Sequence, residues 1–183
     1  MSQADIDAFV TSAHSGLTFE AVMKAIATDF PMNGRRSKDG YTALQFAAYF
    51  DNEMLVVALL AAGADPDVKD HDGWTAVMWA AAWSNPTILQ LLIDAGGSVN
   101  ATTKLGQTPL IAVIDYNGNP ANTRDALLAR PELELNERFE GKMAEERAAF
   151  KNQTEFVAAI ADARAKQRRW AHIRTAWVGA TAA

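Results

Sequence analysis

The sequence lacks the groups of residues on which most enzyme sites depend. It contains no cysteine, and its three histidines, His14, His71 and His172, lie far apart. Disulfides and thiol chemistry are therefore excluded, and the histidines do not have the spacing of metal ligands. Neither a Gly-x-Gly-x-x-Gly pattern nor a Walker phosphate loop occurs. We expect a protein that is not an enzyme, holds no metal and needs no cofactor.

Long apolar runs and an excess of positive charge are missing as well. No apolar stretch approaches the roughly 20 residues that span a membrane, and the start of the chain is acidic, unlike a secretory signal. The 17 basic and 22 acidic residues among 183 give a formal net charge of −5, which argues against nucleic acid as the main partner. We expect one soluble domain in the cytoplasm.

The sequence does contain one motif that recurs. The copies begin Asp39-Gly-Tyr-Thr-Ala-Leu-Gln-Phe-Ala-Ala, Asp72-Gly-Trp-Thr-Ala-Val-Met-Trp-Ala-Ala and Leu105-Gly-Gln-Thr-Pro-Leu-Ile-Ala. Their glycines, Gly40, Gly73 and Gly106, are 33 residues apart. A fixed period of this length indicates stacked units that each contain a few helices or strands.

Each copy carries residues that suit a turn followed by a helix. The Asp-Gly pairs favour a tight turn, since glycine adopts positive φ at little cost and aspartate bonds nearby amides. Thr42, Thr75 and Thr108 stand where a helix N-cap is needed, with a hydroxyl free to accept a backbone N–H. Gly63 and Gly96 follow leucine-rich runs, as C-terminal caps do.

On these motifs, the chain resembles the ankyrin repeat family over roughly residues 38–160. The resemblance implies an all-α solenoid in which each repeat has a β-turn tip, a short inner helix, a longer outer helix and a loop. It also implies a recognition module rather than an enzyme. The family's histidine, which orders the loops, is replaced by Gln45, Met78 and Ile111. Only Gln45 can make similar hydrogen bonds, which leaves the order of the later loops open.

The resemblance divides the chain into five segments of one domain. They are N-terminal capping helices at 1–37, repeats at 38–70 and 71–103, a diverged repeat at 104–139, and a degenerate last repeat with a long C-terminal helix at 140–183. The capping pair reads as helices at 4–14 and 18–29, joined at Gly16. The closing motifs at Asn100 and Asn136 are 36 residues apart, which indicates an insertion near 115–123. This insertion is either a tolerated surface loop or part of a binding face.

Aromatic residues recur in phase with the repeat at positions where, by the resemblance, ankyrin partners bind. The tip residues after the glycines are Tyr41, Trp74 and Gln107, and the inner helices end at Tyr49 with Phe50, at Trp83 and at Tyr116. Exposed aromatic side chains of this kind are typical of binding hot spots. The polar rim around them includes Lys38, Lys69, His71 and Lys104. The alternative is that the rings pack on one another.

Phe46 and Trp79, by contrast, occupy a position that the resemblance places between repeats, and we interpret both as core. The close aspartates Asp65, Asp67, Asp70 and Asp72 suggest a calcium loop, but the glycine and the glutamate that such a loop needs are misplaced. Ordinary roles in turns and caps explain these acids better.

The C-terminal helix carries the strongly basic stretch 164–174. It could bind nucleic acid or a membrane surface, or it could fold back on the last repeat. Its apolar stripe consists of Ile160, Ala163, Trp170, Ile173 and Trp177.

We predict a module that binds another protein through its concave aromatic face, as an adaptor, an inhibitor or an immunity or effector protein. Binding of nucleic acid or membrane through 164–177 is the alternative.

Overall fold

The chain forms a stack of helix pairs in a computed structural model, which describes residues 2–15, 18–83, 85–116, 120–136 and 138–181. The helices are α1 (Gln3–Ser15), α2 (Phe19–Ala27), α3 (Ala43–Tyr49), α4 (Glu53–Ala61), α5 (Ala76–Ala82), α6 (Pro86–Asp94), α7 (Pro109–Asp115), α8 (Pro120–Leu128), α9 (Ala144–Phe150) and α10 (Thr154–Thr181). A hairpin of β1 (Arg138–Phe139) and β2 (Lys142–Met143) precedes α9. The predicted all-α repeat class is confirmed, whereas the short hairpin was not predicted. Gly16 lies outside the described residues.

The helices pack in two layers. In the inner layer, α1, α3, α5, α7 and α9 each contact the next, and in the outer layer α2, α4, α6, α8 and α10 do the same. Alanines fill the space between inner helices, as Ala47, Ala48, Ala80 and Ala81 are fully buried. Small side chains at these positions let successive helix backbones approach closely.

The predicted caps begin and end the helices. The hydroxyls of Thr42, Thr75 and Thr108 each accept the backbone N–H three residues further on, at 3.2 to 3.3 Å, at the starts of α3, α5 and α7. Gly63 and Gly96 follow α4 and α6 with φ of 84° and 96°. Each cap satisfies backbone groups that the helix itself leaves unpaired, which typically contributes about 1 kcal/mol.

Backbone hydrogen bonds join the turn tips of successive repeats. The N–H of His71 donates to the carbonyl oxygen of Asp39 at 2.9 Å, and that of Lys104 donates to Asp72 at 3.0 Å. A Cβ atom on Gly40 would lie only 2.5 Å from the imidazole of His71, and the φ of Gly40 is 78°. Glycine is required there by both its conformation and the close approach of the next tip. The tips therefore form one continuous edge.

The hairpin forms a fourth tip. Glu140 and Gly141 occupy its turn, with φ of 52° and 76°. Met143 takes the place of the capping threonine, and its N–H donates to Glu146 at 2.8 Å instead. The first residues of α7 and α9, Pro109 and Ala144, are 35 apart, whereas those of α5 and α7 are 33 apart. The helix starts are therefore two residues further apart than the period. The loop residues Ser98 and Glu134, whose N–H groups bond the preceding loop, are 36 apart, as the closing motifs are. Residues 117–119 lie outside the described residues.

The long helix α10 packs on the last repeat through its first half. Ile160 and Ala163 are buried, and Arg164 pairs with Glu145 and donates to the carbonyl oxygen of Leu135. Trp170, the next residue of the predicted stripe, is 66% exposed. The side chains of Ile173 and Trp177 lie outside the described residues. Within the described ranges, no helix is both long enough and apolar enough to cross a membrane.

Candidate functional site

Aromatic side chains of three consecutive repeats form a connected surface on the inner layer, which we call the aromatic face. Neighbouring rings lie 4.7 to 6.0 Å apart between centroids, mostly in tilted or edge-to-face arrangements. Such pairs contribute roughly 0.5 to 1.5 kcal/mol each beyond the area that they bury. Its members are Tyr41, Phe46, Tyr49, Phe50, Trp74, Trp79, Trp83 and Tyr116.

A pocket of about 300 Å³ opens between the first two repeats of this face. It is lined by Arg36, Tyr41, Gln45, Phe46, Tyr49, Trp79 and Trp83. Its walls come from the first tip and from the inner helices α3 and α5. The volume lies at the lower end of the range of ligand pockets and suits one large side chain.

Two residues that we interpreted as core pack against the buried core and also line this pocket. Phe46 and Trp79 are only partly buried, and the indole N–H of Trp79 donates to the carboxylate of Asp70 at 3.3 Å. The reason is the size of their neighbours. Alanines such as Ala47 and Ala80 bring the inner helices too close for a ring to fit between them, so the rings turn outward.

Two predicted contact residues are buried. Trp74 is 9% exposed, because its indole packs on Met78 and Ala112 below Trp79. Gln107 is also 9% exposed, and its amide donates to Asp115 at 3.0 Å. The expectation that these side chains face solvent is wrong. The tip position after the glycine turns inward in the second and third repeats, where it supports the aromatic face from below.

The other predicted aromatic residues remain accessible. Phe50, Trp83 and Tyr116 are 40%, 43% and 40% exposed, and Tyr41 and Tyr49 are partly buried. The alternative that the rings pack on one another therefore agrees with their contacts, and their role in binding stays a prediction. The rings pack on one another, and they still present a broad apolar surface to solvent.

Arg36 closes one side of the pocket. Its guanidinium lies 4.7 Å from the ring centroid of Phe46 and 5.9 Å from that of Tyr41, and it forms a bidentate pair with Asp39. The hydrogen bond that Arg36 donates to Asp39 raises the pKa of Arg36. Burial, assisted by the charge of Asp70, raises the pKa of Tyr41 to about 12, so its phenol is neutral at physiological pH. Burial likewise raises the pKa of Asp70.

The loops between repeats are ordered without the family's histidine. The amide of Gln45 donates to the carbonyl oxygens of Val68 at 2.8 Å and Trp74 at 2.7 Å. In this second tip and in the third, Asp70 and Thr103 each accept two backbone N–H groups of their own turn, at 2.9 to 3.3 Å. Asp70 and Thr103 are 33 residues apart, so the sequence period could have identified them as equivalent turn residues.

The predicted polar rim surrounds the tips. Lys38, Lys69, His71 and Lys104 are all exposed there, and the ammonium of Lys69 donates to the carbonyl oxygen of Thr102 at 2.7 Å. Leu105 is an exposed apolar tip residue that the sequence analysis did not single out. It takes the place of the aspartate in the two preceding tips.

The close aspartates serve the turns, as we expected. The carboxylate of Asp67 accepts the backbone N–H of Ser98 at 2.8 Å, and that of Asp65 accepts the N–H of Asp67 at 2.8 Å. In the part of the chain that the structure describes, no group of three or more histidine, aspartate or glutamate side chains could hold a metal ion.

A comparison with protein families agrees with this architecture. The family model described as ankyrin repeats (3 copies) matches residues 9–103 and, in an overlapping placement, 44–138. Together these matches cover more than half of the chain. No curated protein matches the sequence. Ankyrin repeats are generally protein–protein interaction modules. The chain belongs to the ankyrin repeat family.

Proposed function

We propose that this protein is a non-enzymatic module that holds a protein partner on its concave side, against the aromatic face. One observation carries the proposal: Phe50, Trp83 and Tyr116, from three consecutive repeats, are each about 40% exposed within one connected ring surface. The binding would serve an adaptor, an inhibitor or an immunity or effector protein, acting in the cytoplasm.

The mutual packing of the rings favours tight binding. Trp83 contacts Tyr49 at 4.8 Å, Trp79 at 5.2 Å and Tyr116 at 5.3 Å between centroids. These contacts restrict the rotamers of the rings before any partner arrives. The rings then lose less conformational entropy on binding than independent side chains would, each of which costs about 0.5 to 1.5 kcal/mol to order.

The basic stretch of α10 does not favour a second function. Arg164 pairs with Glu145, and Lys166 pairs with Asp162 at 2.7 Å, so both cations already have acidic partners in the fold. The side chains of residues 172–181 lie outside the described ones. We therefore do not propose nucleic-acid or membrane binding through this helix.

Affinity purification from the source cell tests the proposal. The bait is the wild-type protein, the Phe50→Ala/Trp83→Ala variant or the Trp170→Ala variant, and captured proteins are identified by mass spectrometry. Trp170 is an exposed tryptophan outside the aromatic face and serves as the matched control. We expect a partner that wild type and Trp170→Ala retain and the double variant loses. Retention by the double variant, or loss by Trp170→Ala alone, would contradict the proposal.

A further inference from the structure

The turn tips carry a row of basic side chains at equivalent positions. Lys38, His71 and Lys104 are 33 residues apart in succession, and all three are exposed. The backbone N–H groups of His71 and Lys104 donate to the preceding tips, so these positions lie along one edge. Lys69, also exposed, adds a fourth basic side chain beside the row. We call these four residues the basic row.

The exposed charges near the basic row are unbalanced. Asp39 is paired with Arg36, and Asp70 is buried beneath Trp79, which leaves Asp72 as the exposed acid in the tip loops 36–41 and 69–74. Three exposed lysines therefore lie beside one exposed aspartate, while Asp39, Asp70 and Asp7, which accepts the N–H of Ser37, are less exposed and supply further carboxylates nearby. The charges that face solvent along the tips are mostly positive, and this favours an acidic partner surface.

The pocket beside the basic row disfavours a charged occupant. The amide N–H groups of Gln45 already bond Val68 and Trp74. Arg36 already pairs with Asp39, and its guanidinium lies over Phe46. An incoming cation would meet Arg36, and an incoming carboxylate would lose its hydration without gaining an unpaired cation. An uncharged apolar side chain suits the aromatic walls best.

We infer that the partner binds through an extended acidic segment, whose carboxylates lie along the basic row and whose one large apolar side chain enters the pocket. The inference rests on the proposed function and specifies the chemistry of the partner. The tips form a continuous edge, and the first tip supplies both Lys38 and the pocket residues Arg36 and Tyr41. One segment can therefore reach both features.

A peptide selection tests this inference without knowledge of the partner. The probe is a phage-displayed library of random peptides of about twelve residues, which can extend over roughly 40 Å. We expect selection on the wild-type protein to enrich peptides that have Asp or Glu beside a single Phe, Trp, Leu or Met. Enrichment of basic peptides, or a library without any binder, would overturn the inference.

Charge reversal tests the role of the basic row in a synthetic peptide from this selection. We expect Lys38→Glu/Lys104→Glu to weaken binding about tenfold or more at low salt, and less at high salt. Lys24→Glu/Arg169→Glu causes the same change in net charge at exposed positions away from the tips, and it should bind like wild type. Equal dissociation constants for the two double variants would overturn the inference.

The Tyr49→Ala/Trp83→Ala variant separates this inference from the proposed function. If this variant loses the peptide and the charge-reversal variant does not, the peptide binds the aromatic face. The inferred contact of an acidic segment with the basic row is then wrong. If this variant retains the peptide, the inference that an apolar side chain enters the pocket is wrong. If neither variant loses the peptide, binding lies elsewhere, and the proposed function is contradicted with the inference.

Discussion

The side-chain amide of Gln45 donates to the carbonyl oxygen of Trp74 at 2.7 Å. A residue of one inner helix thereby fixes the turn tip of the following repeat. The same amide also donates to Val68, and its oxygen accepts the N–H of Thr42 at 2.9 Å. These three bonds are buried or nearly so, and they position the loop from which the second tip of the aromatic face begins.

Replacement of Gln45 by methionine should destabilise the protein. Methionine is similar in size but cannot replace the hydrogen bonds, so the carbonyl group of Val68 would lose this donor and that of Trp74 would keep only the N–H of Asp70. We expect a loss of about 2 to 4 kcal/mol in the free energy of unfolding, measured by urea denaturation. Gln45→His, which restores the family's residue, should cost less than Gln45→Met. Equal costs for the two variants would contradict this role.

Trp74 and Trp83 should respond differently to truncation. Trp74 is 9% exposed and packs on Met78, so Trp74→Ala should cost about 3 to 5 kcal/mol of stability. Trp83 is 43% exposed, so Trp83→Ala should cost clearly less and act mainly on binding. Urea denaturation measures both values. A larger loss of stability for Trp83→Ala than for Trp74→Ala would contradict the view that Trp74 supports the aromatic face and Trp83 contacts the partner.

Because of Tyr41, the stability of the fold should fall as pH rises in the alkaline range. Its pKa is raised from the ordinary 10.0 to about 12 by burial and nearby carboxylates. A raised pKa in the fold means that folding favours the neutral phenol, so the contribution of Tyr41 is fully present below pH 10 and is lost as pH rises through about 12. Between these values, the wild-type melting temperature should fall more steeply than that of Tyr41→Phe. Parallel curves would contradict the raised pKa.

Asp115 should attach the last repeat to the third. Its nearly buried carboxylate binds Arg147 at 2.6 Å and Lys151 at 3.1 Å, and it accepts the amide N–H of Gln107. Asp115→Ala would leave Arg147 without this partner, and we expect a loss of about 3 kcal/mol with faster hydrogen exchange in α9 and α10.

The exposed pair of Lys166 and Asp162 provides the control for this prediction. Both side chains are more than half exposed, so Lys166→Ala should change stability by less than about 1 kcal/mol. If Asp115→Ala changed stability as little as Lys166→Ala does, the attachment of the last repeat would depend on other contacts.

The repeat architecture could be predicted from the sequence because its signals are local. Thr42 caps the helix that begins at the next residue, and Gly40 sets a turn by its own φ. The exposure of single rings could not be predicted in this way. Trp74 is buried and Trp79 lines the pocket because of residues from the neighbouring helices, among them the alanines that hold the inner helices close.

The hairpin and the exposure of Trp170 on α10 could not be predicted from the sequence either. The fourth tip has Met143 where earlier tips have threonine, and its cap depends on Glu146. Trp170 belongs to the predicted apolar stripe of α10 and is nevertheless 66% exposed, which the periodicity alone did not reveal. Both features depend on where the array ends, which the repeat pattern does not specify.

Site-specific photocrosslinking in the source cell tests most directly whether a partner occupies the aromatic face. Benzoylphenylalanine would replace Trp83 or Phe50 on this face, and Met54 on the exposed side of the outer helix α4 as a control. We predict that both positions on the aromatic face crosslink to one and the same protein, and that position 54 does not. A protein that crosslinks from position 54 but not from 50 or 83 would contradict binding through the aromatic face.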